Sequence, residues 1–108
     1  MALSRSFKDV VRDRAQHDAA FRNALISEAI EALALGDAAT ARSLIRDFIN
    51  ATVGFDELGR SIGMDPKNLM RMFGPRGNPQ LGSLSAVLRE LVRREGLTFK
   101  VEPVLAAE

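Results

Sequence analysis

GFDELGRSIGMDPKNLMRMFGPR, residues 54 to 76, has the spacing of two short helices joined by a glycine-centred turn. Leu58 and Ile62 recur four residues apart and give the first helix one apolar face. Gly63 then supplies a residue that can leave a helix with positive φ at little steric cost. Met64 crosses the turn. Asp65 is a good N-cap, and Pro66 suits the first position of a second helix, where the missing N–H is not needed. Leu69 and Phe73 make the inner face of that helix. Lys67, Asn68 and Arg71 fall on positions the core does not use, near its N-terminal half, and these are side chains a DNA major groove can accept. The segment predicts a helix-turn-helix.

The flanks predict helices almost throughout. Upstream, Ser4 or Ser6 can cap a short amphipathic helix through about Gln16, with Phe7, Val10 and Val11 on one side. Asp18 caps a longer helix in which Phe21, Leu25, Ala29 and Leu33 follow steps of four, and Gly36 ends it. Asp37 begins the next, with Ala41, Leu44, Ile45, Phe48 and Ile49 as its buried stripe and Gly54 at its close. Downstream, the loop GPRGNP (residues 74–79) is a strong break. Gly82 or Ser83 then leads into a helix carrying Leu84, Val87, Leu88 and Leu91, which Gly96 stops. Leu97, Phe99 and Val101 alternate with Thr98, Lys100 and Glu102 before Pro103, the period-two pattern of one strand.

A solitary strand leaves unpaired N–H and C=O groups on both edges. It can pair with a two-fold copy of the same chain, join the sheet edge of a different protein, or pack as a tail on the bundle. The expected fold is therefore an all-α bundle with a short C-terminal β-strand. Residues 1–17 form an N-terminal amphipathic helix and residues 18–108 one compact helix-turn-helix domain.

Composition bounds the function. A length of 108 residues suffices for one small core, to which a partner is expected to add stability. With no cysteine, neither a disulfide framework nor a thiolate zinc site is available. No apolar run is long enough to span a membrane, and residues 1–14 lack an apolar signal core, so a cytoplasmic location is expected. The net charge of +1 hides a local imbalance. Between Met64 and Arg94, Lys67, Arg71, Arg76, Arg89, Arg93 and Arg94 face only Asp65 and Glu90. Such a patch can meet phosphates or can be an ordinary solvated helix face.

Enzyme readings find little support. The single histidine, His17, lies in a polar stretch between two helices, as a solvent-exposed or helix-end residue would. Glu28 and Glu31 share a helix face but have no further ligand beside them. The glycines of GPRGNP follow no strand and precede no Lys-Ser/Thr, so they are turn residues rather than a phosphate loop. No cofactor or metal is expected.

LISEAIEALALGD (25–37), DELGRSIGMDPKNLMRMF (56–73), GPRGNP (74–79), the apolar helix that follows and LTFKVEP (97–103) occur in an order that resembles the addiction-module antidote family. These are helix-turn-helix antitoxins and transcriptional regulators with a lambda-repressor-like domain. The resemblance covers about four-fifths of the chain; SFKDVVRDRAQHD (6–18) is less typical of the short antitoxins. It implies a transcriptional regulator that binds double-stranded DNA at its own promoter as a homodimer. In many members the same protein neutralises a small toxic ribonuclease encoded alongside. By position, the resemblance gives Lys67, Asn68 and Arg71 the base and phosphate contacts and puts Arg76 near the sugar-phosphate backbone. An arginine can read guanine O6 and N7, an asparagine adenine N6 and N7, and a lysine either a base edge or a phosphate. Two positions depart from the pattern, Phe55 and Met70, while Gly59 supplies the small residue that the helix crossing needs. Phe55 stands where many such domains have a phosphate-gripping Gln, Met70 where a small polar residue is common, and Gly59 where Ala is usual. The reading from a different class is a protein-binding module whose apolar helices and strand hold a partner with little DNA binding.

Overall fold

Six helices and no strand form among the described residues, 6–107, of the computed structural model. In chain order they are α1 (Phe7–His17), α2 (Ala19–Ala34), α3 (Ala38–Ala51), α4 (Phe55–Ile62), α5 (Pro66–Met72) and α6 (Leu81–Arg94). Polar caps begin four of them. Ser6 Oγ accepts from Asp9 N at 3.1 Å, Asp18 Oδ1 from Phe21 N at 3.1 Å, Asp37 Oδ1 from Thr40 N at 3.1 Å, and Asp65 Oδ1 from Lys67 N at 3.3 Å. Each satisfies a backbone donor that the helix itself cannot. Ser4, the alternative first cap, lies outside the described residues.

The core forms where α2 and α3 pack extensively on each other, with α1 laid across both. Leu25, Ile26 and Ala29 of α2 meet Ile45, Phe48 and Ile49 of α3, and Leu58, Leu69, Phe73, Val87 and Leu91 extend the same cluster through α4, α5 and α6. Phe48 and Phe73 are almost wholly buried, each contributing roughly 1.5–3 kcal/mol by removal from water. Arg22 joins distant parts of the chain. Its Nε donates to both Glu95 carboxylate oxygens, at 3.1 and 3.2 Å, and its Nη1 donates to Ala15 O at 2.9 Å.

The short pair α4–α5 turns through Gly63, whose φ of 73° is left-handed. Gly59 sits where the pair crosses. A Cβ added there would lie 2.5 Å from the Met64 carbonyl oxygen and 3.1 Å from Pro66 Cγ, so alanine requires the turn to move.

Two expectations are corrected, and a third is unmet within one chain. The stretch 97–102, expected as a strand, forms no ladder among the described residues, and a strand exists only with a ladder partner. It does run without helix, turn or bend through residue 107. In α1 the docking face is Val11 and Ala15, the latter fully buried, whereas Phe7 is 81% exposed. Helix α6 starts at Leu81 rather than after Gly82 or Ser83: Gln80, extended at φ −68°, ψ 154°, opens it with no side-chain cap. None of the helices among the described residues is long and apolar enough to cross a membrane.

Candidate nucleic-acid interface

Burial of Leu69 and Phe73 fixes the rotation of α5, and this turns Lys67, Asn68, Met70 and Arg71 outward. All four are exposed, Met70 to 46%. Asn68 and Arg71 then line a concavity of about 330 Å³ together with Met72, Arg76, Gly77 and Asn78. Three of the four expected site residues, Asn68, Arg71 and Arg76, are thus brought to one recess between α5 and the loop after it. Lys67 lies outside its lining, one residue before Asn68. Among the described residues, none of Lys67, Arg71 and Arg76 is paired with a carboxylate.

Arg71 is held from within its own helix. Its Nη1 donates to Asn68 Oδ1 at 3.1 Å, one turn earlier. The consequence reaches both residues. The guanidinium is steadied beside the recess, and the Asn68 amide keeps both donors and one acceptor lone pair. Asn68 can donate to purine N7 or guanine O6, and its oxygen keeps a second lone pair for a donor such as adenine N6.

Two arginines that sequence reasoning did not single out support the loop. From α3, Arg46 Nη1 donates to Phe73 O and Arg42 Nη2 to Pro75 O, each at 3.3 Å. Arg46 thereby places a cation on the carbonyl end of α5, where the helix dipole favours it. Their Nε–H groups are buried and have no acceptor among the described residues. Their spacing of four on α3 was visible in the sequence, but nothing in it told that the far loop would return against that face. Gly77 completes the turn: its N–H bonds Gly74 O at 2.9 Å, and a Cβ there would overlap the Met72 carbonyl.

The basic stretch from Met64 to Arg94 divides in space. Arg93 and Arg94 belong to an ion-pair network on α6, in which Arg93 Nη2 meets Glu90 Oε2 at 2.7 Å and Arg94 bridges Glu90 and Glu57 at 2.8 and 2.9 Å. Arg94 Nη2 also donates to Ser61 Oγ at 2.7 Å. Hydrogen bonding from Arg93 first, then from Arg94, outweighs desolvation and holds the Glu90 carboxyl down at about 2. Lys67, Arg71 and Arg76 on the α5 side, and Arg89 on α6, make no ion pair among the described residues.

Phe55 is buried at the start of α4, so that position serves the core. His17 ends α1, exposed, with Nδ1 2.9 Å from Asp13 O. Glu28 and Glu31 are exposed, and among the described residues no three His, Asp or Glu side chains converge as a metal site would require. Compared with protein-family models, with curated proteins and with solved structures, the chain matches none.

Proposed function

We propose that this chain is a sequence-specific DNA-binding transcriptional regulator. In this reading α4 and α5 act as a lambda-repressor-like helix-turn-helix and α5 enters the major groove. The observation that carries it is the convergence of Asn68, Arg71 and Arg76 on one exposed recess, with Lys67 beside it and, among the described residues, no carboxylate paired with the three cations. A protein surface built only for solubility mixes its signs, whereas phosphate-rich partners favour one.

The roles follow from reach and chemistry. Arg71, buttressed by Asn68, offers its free N–H edge to guanine O6 and N7, and Asn68 donates to a neighbouring acceptor. Arg76, on the loop held by Arg42 and Arg46, takes phosphate, and Lys67 takes phosphate or a base edge at the helix start. Met70, exposed between them, can cover a thymine methyl. Acting as a homodimer, the protein reads two half-sites about one helical turn apart. The resemblance to addiction-module antidotes extends the proposal to a type II toxin–antitoxin module, in which this chain represses its own promoter and neutralises a small toxin.

Selection of bound duplexes from a randomised pool tests the core of this reading. Enrichment of a guanine-containing, two-fold symmetric motif supports it, and a pool that stays random after repeated rounds rejects it.

A further inference from the structure

After Gly96 closes α6, residues 97–107 run on without turn or bend. Lys100 Nζ meets Glu102 Oε1 at 2.9 Å, so side chains two residues apart share a side, as on an extended chain. Leu97 packs on the core and Phe99 is 40% exposed, but Val101, Val104 and Leu105 are 80%, 88% and 99% exposed. Such an edge invites a second strand.

Two backbone facts restrict how it can pair. The Leu97 N–H already bonds the Val92 carbonyl at 3.0 Å, and Pro103 has no N–H. Both residues are odd-numbered, so in an antiparallel ladder the odd positions must be the ones that do not exchange hydrogen bonds. Thr98, Lys100, Glu102 and Val104, with free amides, then make the bonds. Charge selects among the registers that remain. A two-fold axis at residue 100 would oppose Lys100 to its own copy, and one at residue 102 would do the same to Glu102. An axis at residue 99 sets Lys100 against Thr98. Only an axis at Val101 sets Lys100 opposite Glu102 twice, while Val101 meets itself, Phe99 meets Pro103 and Leu97 meets Leu105.

We infer that residues 97–105 form a two-stranded antiparallel ribbon with a second copy of this chain, centred on Val101 in a non-hydrogen-bonded pair. Lys100 and Glu102 exchange both their backbone bonds and their charges across the axis. The ribbon lies on the two bundles through Leu97 and Phe99, which supplies the apolar backing that an isolated pair of strands lacks. This inference deepens the dimeric part of the proposed function and does not depend on DNA binding.

The cysteine-free sequence makes the register measurable. Non-hydrogen-bonded partners bring Cα atoms to about 4.5 Å, within disulfide reach. Val101→Cys is expected to oxidise almost completely to a covalent dimer, with Phe99→Cys and Lys100→Cys far behind at the same concentration. Light scattering on unmodified, Lys100→Glu, Glu102→Lys and doubly exchanged proteins completes the test. Each single reversal opposes like charges and should weaken dimerisation about tenfold, and the double exchange should restore it. These side chains are exposed, so helical circular dichroism should not change. Preferential crosslinking at Phe99→Cys overturns the register. A dimer that crosslinks at none of the three sites overturns the ribbon but leaves dimerisation through another face. A monomer at every concentration overturns both.

Discussion

The hydrogen on Gly59 Cα lets α4 and α5 cross closely, because a methyl group in its place would press on the Met64 carbonyl and the Pro66 ring. Gly59→Ala gains roughly 1 kcal/mol in helix propensity and loses more to the clash with fixed backbone. We expect a net loss of about 1–2 kcal/mol in unfolding free energy, read from the urea midpoint. At the recess, Arg71→Ala should lower specific DNA affinity by about 1–3 kcal/mol and relax the preference for guanine at one position. Arg76→Ala should weaken binding to all duplexes alike and reduce the salt slope by about one. Competition titrations with specific and scrambled duplexes separate the two effects, and an unchanged affinity in both variants would remove these assignments.

Helix starts were the most legible elements, because a cap is a local event: Asp18, Asp37 and Asp65 each bond a backbone N–H two or three residues on, as their positions before apolar runs predict. Helix α6 was less so, since Gln80 opens it by backbone conformation alone. The supports between elements were not legible. Arg46 reaches Phe73 and Arg94 reaches Glu57 across long stretches of sequence, and only the fold sets those distances. Arg46→Ala removes the cation at the end of α5; it should cost about 1–2 kcal/mol in stability and reduce DNA affinity through the loosened loop. The α6 network gives a pH signature. Glu90 is depressed in the folded state, so its contribution is present above the ordinary carboxylate range and disappears as pH falls from about 4.5 toward 2. Urea midpoints across that window should fall less steeply in Glu90→Gln, and parallel curves would show that the carboxylate is not coupled to folding.

For the molecule as a whole, periodicity was enough to foresee a helical bundle with the short pair at residues 55–72, because burial of one face per helix depends on little else. The terminal segment was read as a strand from its alternation, yet alternation only fits a chain for pairing, and the described residues hold no partner to form the ladder. The candidate site stood between these cases: Asn68, Arg71 and Arg76 could be named from the sequence, but their meeting at one recess, and the hydrogen bond that ties Asn68 to Arg71, depend on how the loop folds back over α5. Function then turns on whether two such recesses act together on one duplex. The most direct measurement is titration of the full chain against the DNA upstream of its own gene and against a scrambled duplex, at two salt concentrations, with particle mass followed in the same samples. A dimer should prefer the upstream duplex at both salts and lose most of its non-specific binding at the higher one. Equal, salt-sensitive binding to both duplexes, or no binding at all, would contradict that expectation.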